Sequence, residues 1–222
     1  EQRVSSLRVD LANLLADGAL DSAEGKANEI LESAPGDQEA LEALAEIERQ
    51  RGLRGLVADA RRAMEQGDLR GAESLVLEVQ ARDPDYPGAQ ALLAEIAERI
   101  DQEETWQAAQ DLAAAEDWQA VIDLLLQIRE QDPQYRRQEV EGLLFQAYVA
   151  LARQLIRGAN ADPGPIYQAI ENYNKALNLR AGDRALRQER QLAVKFVEGA
   201  AAYQEDAARA VDAWEEVYET EP

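Results

Sequence analysis

Apolar positions recur along this chain at helical spacing, in stretches separated by short polar turns. The clearest stretch is Gly67 to Pro84, GDLRGAESLVLEVQARDP. Leu69, Ala72, Leu75, Val76 and Val79 fall on one stripe of a helix, with Glu73 and Glu78 off it. Gly67 suits the left-handed residue that ends a preceding helix. Asp68 stands where an N-cap carboxylate can accept orphan N–H groups. Pro84 cannot continue the helix, and it biases Asp83 away from the α region. The pattern predicts a helix of about four turns with its own start and stop.

Weaker copies of this stretch run through the sequence. Ala72 precedes Pro84 by twelve positions, and the same separation links Ala23 to Pro35, Val121 to Pro133, Ala169 to Ala181 and Ala210 to Pro222. A turn is expected five residues before each of these positions, at Gly18, Gly67, Glu116, Gly164 and Glu205. Leu20, Leu69, Trp118, Ile166 and Ala207 follow those turns by two residues. The repeat positions 23, 72, 121, 169 and 210 are 49, 49, 48 and 41 apart, and repetition at such a period is the mark of a stacked array.

Between the short helices the pattern predicts longer ones. Residues 1–17 place Val4, Leu7, Leu11, Leu14 and Leu15 on one face. Residues 38–66 are periodic but contain Gly52 and Gly55, each about 1 kcal/mol worse than Ala in a helix, so a kink or break is expected there, with helix resuming from about Leu56 to Glu65. Residues 88–115 have no breaker and predict a rod of roughly 42 Å. Residues 117–129, 136–157, 166–179, 183–204 and 207–219 complete the helices. Gly158 to Pro165, GANADPGP, reads as an exposed loop. No stretch has the composition of a flexible linker. One continuous domain is expected, with units at about 1–37, 38–86, 87–135, 136–182 and 183–222. A start at Glu1 rather than Met, and a stop at a repeat-closing proline, point to part of a longer protein whose array continues.

Composition narrows the function classes. Helix formers dominate, and no run of alternating β-branched residues predicts a strand. The net charge of −21 argues against non-specific nucleic-acid binding, which depends on neutralising phosphates with Lys and Arg. With neither Cys nor His among 222 residues, disulfides, thiolate metal sites and a Ser/His/Asp triad have no basis. No apolar run reaches the ~18–20 residues of a membrane span. The carboxylate pairs Glu103/Glu104 and Glu215/Glu216 read as solvated faces, and Asp162 to Pro165 lacks the alternating oxygen ligands of a calcium loop. Arg184, Arg187 and Arg190 are expected to pair with Asp183, Glu189 and neighbouring acidic helices. No catalytic residue, metal ligand or cofactor site is expected.

At AIENYNKALNL (Ala169 to Leu179), at GDLRGA…DP (Gly67 to Pro84), and through Ala60 and Ala63, or Tyr148, Leu151, Ala152 and Leu155, the chain resembles the tetratricopeptide-repeat family. That family's unit is a pair of antiparallel helices of about 34 residues with small residues at set positions and Pro at the close. Ala23, Ala72, Val121, Ala169 and Ala210 take its early second-helix position. Seven residues on stand Ile30, Val79, Ile128, Ala176 and Val217, where only Ala176 keeps the family's small residue. The period also departs, with about fifteen extra residues before the first helix of most units, expected to lengthen it.

The resemblance implies an all-α, right-handed alpha-alpha superhelix, a solenoid of helix pairs. It implies a non-enzymatic scaffold that binds a partner protein or peptide on its inner face. Trp106 falls at an inner-face position of that family, and Val57, Arg61, Gln110, Val149 and Arg153 match others. Trp118 and Trp214 look like packing residues. The alternative is a structural spacer or homo-oligomerisation element of a larger bacterial-type protein, its long helices packing across a dimer.

Overall fold

The structure, a computed structural model, describes residues 2–159, 162–203, 211 and 215. Among them the fold is all-α: α1 (Gln2–Ala16), α2 (Leu20–Ser33), α3 (Gln38–Glu65), α4 (Leu69–Arg82), α5 (Ala89–Ala114), α6 (Trp118–Gln131), α7 (Arg137–Gly158), α8 (Pro163–Leu179) and α9 (Arg184–Tyr203). Long and short helices alternate from α2 onward. The chain forms two compact units, Glu1–Asp101 and Gln102–Pro222, with the boundary inside α5. In the first, α1, α2, α3 and α4 each pack on the next; in the second, α6, α7, α8 and α9 do so. This sequential packing is that of a helical solenoid.

The repeat register is visible in the burial. Ala23, Ala72, Val121 and Ala169 are all fully buried. Four residues on, Ala27, Val76, Leu125 and Tyr173 are at most 1% exposed, and so are Ile30, Val79, Ile128 and Ala176 seven on. Spacing of 0, 4 and 7 puts all three on one face of each short helix, where the flanking long helices cover them. Each large aliphatic there contributes about 1.5–3 kcal/mol by burial. Ala210, Val217, Trp214, Glu205, Ala207, Pro222 and, apart from residues 211 and 215, the expected 207–219 helix lie outside the described residues.

The ends of the short helices repeat as well. The backbone N–H groups of Ala34, Asp83, Asp132 and Arg180 close the last turns on the carbonyls of Ile30, Val79, Ile128 and Ala176. Asp68 and Asp117 cap α4 and α6 by accepting from the N–H of Gly71 (2.9 Å) and Ala120 (3.4 Å). Gly18, Gly67 and Glu116 take the left-handed turn at φ 68°, 83° and 59°.

Three expectations are corrected. Helix α3 runs unbroken through Gly52 and Gly55, because Leu53 and Ala60 are buried on its core side and hold the backbone that propensity alone would loosen. The stretch 158–165 is helical at both ends: α7 continues to Gly158, and α8 starts at Pro163. Consequently Gly164 is not a turn residue. It lies in the first turn of α8, where Asp162 accepts from its N–H at 2.9 Å and Pro163 occupies a favoured opening position. The rod over 88–115 is found as α5, and every long segment is a single helix.

The first unit holds two core clusters, Leu7 to Ile47 and Leu53 to Ile100. The second holds one, from Trp106 to Val197, and the clefts described next open beside it.

Candidate interaction face of the second unit

Helix α7 has two working faces. Val140, Leu144, Ala147, Tyr148 and Ala152 are buried in the core. Glu139, Gly142, Leu143, Gln146, Val149, Ala150 and Arg153 recur every three or four residues along another strip and line two clefts.

The first cleft, of about 360 Å³, lies between α7 and the part of α5 after Asp101. Trp106, Gln110 and Ala113 line it from α5, opposite Glu139, Gly142, Leu143 and Gln146. Trp106 is only 6% exposed, so it forms a floor and not a projecting anchor. Its neighbour Arg136, just before α7, has a left-handed backbone at φ 40°, uncommon for a residue with a side chain. The guanidinium lies 5.9 Å from the Trp106 ring centre and 5.8 Å from that of Tyr135. It donates to both oxygens of Glu103 at 3.1 Å and to Glu139 at 3.3 Å, while the Tyr135 hydroxyl donates to Glu103 at 2.8 Å. Burial pushes the Glu103 carboxyl up, but the bonds from Tyr135 and Arg136 outweigh it and leave the pKa below the ordinary value.

The second cleft, of about 350 Å³, lies between α7 and α9. Phe145, Val149 and Leu186 make its apolar part with half-buried Trp118, and Gln146, Arg153, Asp183 and Glu189 its polar part. Arg153 grips Glu189 at 2.6 and 2.9 Å, and the Tyr173 hydroxyl donates to the same carboxylate at 3.1 Å. The Arg153 bond holds the Glu189 carboxyl below the ordinary range, and burial pushes the Tyr173 phenol up. Gln146 lines both clefts.

Of the residues singled out from sequence, Trp106 and Gln110 therefore meet in one cleft, and Val149 and Arg153 in the next. Val57 and Arg61 lie on α3 in the first unit, Val57 against the Leu53–Ile100 cluster and Arg61 exposed. Gln146 was missed, although it stands three residues before Val149 and seven before Arg153. Trp118, expected to be packing alone, also lines the second cleft. Among the described residues, Arg187 donates to the Ala181 carbonyl and Arg190 to the Asn174 side chain, while Glu189 goes to Arg153.

Among the described residues no cluster of acidic side chains has the arrangement of a metal site, and no helix is long and apolar enough to cross a membrane. No protein-family model matches this chain, and no curated protein matches it.

Proposed function

We propose that this chain is a non-enzymatic scaffold of tetratricopeptide-repeat type that holds a partner protein or peptide against the face shared by α5, α7 and α9. The observation that supports it best is that Trp106, Gln110, Val149 and Arg153 line two clefts that meet at Gln146. Apolar floors with a few polar groups at the rim suit side-chain recognition. Three of the four charged residues that line the clefts are in ion pairs, Arg153 with Glu189 and Glu139 with Arg136, which suits a rigid binding surface more than proton transfer. Among the described residues the exposed large apolar side chains are Val9, Leu41, Leu77, Ile156, Tyr167, Tyr203 and Val211, no two of them on one helix from α1 to α9. No described long helix carries a stripe of them, which favours a groove over packing across a dimer.

A photo-crosslinking residue at position 146 of the whole chain tests this, against one at Gln127, exposed on α6 and outside both clefts. Capture of a discrete partner from 146, lost when Val149→Arg fills the second cleft, is the expected result. Equal capture from both sites counts against the reading.

A further inference from the structure

We infer that this fold, whatever its clefts hold, is fitted to concentrated salt: it gains stability as monovalent salt rises from the millimolar into the molar range.

The excess of charge is the first ground. Asp and Glu number 44 against 23 Lys and Arg, so 21 carboxylates stay uncompensated even with every cation paired. They are spread over the helices. Glu32, Glu48, Glu98, Glu130 and Glu171 lie on α2, α3, α5, α6 and α8, all exposed, and none makes a hydrogen bond or ion pair with a described residue. On α5 the exposed acids Glu95, Glu98, Asp101 and Glu104 follow one another every three residues. Neighbours at that spacing stand about 5–6 Å apart on a helix surface and repel. Some carboxylates take their hydrogen bonds from neutral donors instead of cations. Gln38, Gln50, Gln107 and Gln119 each donate to an Asp or Glu four residues away on the same helix, at 2.7–3.1 Å. Such a bond satisfies the oxygen and leaves the charge in place. Self-repulsion of this kind opposes the compact state.

The range of the forces decides the sign. Salt weakens attraction and repulsion alike, but not at the same distance. The Debye length is about 30 Å at 0.01 M, 10 Å at 0.1 M and 3 Å at 1 M. Repulsion reaches across about 5–6 Å and more, so its shortest-range part is screened only near molar salt. The ion pairs act at contact. Arg49 meets both oxygens of Glu46 at 2.8 Å, Arg153 both of Glu189 at 2.6 and 2.9 Å, and Arg136 both of Glu103 at 3.1 Å. Such a fork is held by directional hydrogen bonds as well as by charge, so screening costs it less than it relieves repulsion. Lys has no fork, and only three of the 23 cations are Lys: Lys26, Lys175 and Lys195.

Thermal unfolding of the whole chain at about 0.01, 0.1 and 1 M KCl tests this. The midpoint should rise by roughly 10 °C across the series and should still be rising above about 0.1 M. A variant carrying Glu32→Gln, Glu48→Gln, Glu98→Gln, Glu130→Gln and Glu171→Gln keeps the helix propensity and loses five charges. It should melt higher than the parent in the most dilute salt, rise less, and meet the parent in the most concentrated. A midpoint that stays flat or falls with KCl would mean that the ion pairs outweigh the repulsion, and overturns the inference. A rise complete by about 0.1 M also overturns it, because dilute salt would then suffice. So do equal rises in parent and variant, which would come from apolar burial and not from charge. MgCl2 at the same ionic strength should act like KCl; a far larger effect would mark a bound cation in place of screening, and overturns the inference as well.

Discussion

Helices α4 and α8 bury the same three positions of the repeat and fill them differently. In α4, Ala72, Val76 and Val79 need only close packing. In α8 a tyrosine stands where Val76 stands, between Ala169 and Ala176. Its ring is as buried as the valine, but its hydroxyl cannot be left without a partner. It donates to Glu189, which Arg153 clasps in turn, so one buried position ties α8 to α9 and α7. The entries differ too. Helix α4 starts three residues before Ala72, after the left-handed Gly67; α8 starts six before Ala169, from Asp162 and Pro163. The helix pair dictates which positions are buried; the neighbouring helices dictate what can occupy them.

The largest test of this difference is truncation at the shared position. Tyr173→Ala should cost about 3–5 kcal/mol and Val76→Ala about 2 kcal/mol in urea unfolding. Equal losses would mean that the tyrosine adds nothing beyond the valine. Next comes Tyr173→Phe, which keeps the ring and removes the donor, with an expected loss of about 1 kcal/mol. A double-mutant cycle with Glu189→Gln should show coupling; strict additivity would uncouple the phenol from the carboxylate.

The same pair sets a pH dependence. Arg153 lowers the Glu189 pKa in the folded chain, so its contribution is fully present above the unfolded carboxylate value of about 4.3 and is lost as pH falls through the lower folded value. Stability measured from pH 6 down to 3 should therefore fall less in Glu189→Gln than in the parent; parallel curves would remove Glu189 from the account.

Smaller effects belong to the turns and the long helices. Glu116→Gly should stabilise by about 0.5–1 kcal/mol, because a side chain at φ 59° is strained, while Gly67→Ala should destabilise by about 1 kcal/mol. Thermal melts that move both in the same direction would break the equivalence of the two turns. Smallest, Gly52→Ala and Gly55→Ala should each add about 0.5 kcal/mol, since a Cβ at either meets nothing within 4 Å. A loss at either would show that α3 uses its glycines.

Much of the fold was legible because start and stop signals are local. Asp68, Asp117 and the prolines at 35, 84 and 133 mark helix ends without reference to the rest of the chain. What misled were residues whose meaning depends on context. Gly52 and Gly55 weaken a helix in isolation, yet buried Leu53 and Ala60 keep α3 whole. Asp162 and Pro163 look like loop residues but also open a helix, and here they do. For the candidate site, Val149 and Arg153 could be placed on one strip of α7 by spacing alone. Glu189 could not, because the second cleft exists only once α9 packs beside α7. Trp106 lines the first cleft from α5, but its ring lies under the guanidinium of Arg136, thirty residues downstream, which no local pattern shows.

Arg136 gives the first cleft an unusual dependency. Its backbone is left-handed, and its side chain is shared between Glu103, thirty-three residues away in sequence, Glu139 and the Trp106 ring. Without the Glu103 charge, Glu139 would be the only carboxylate left to hold the cation above the indole. A change on α5 would then loosen one wall of the first cleft from a distance.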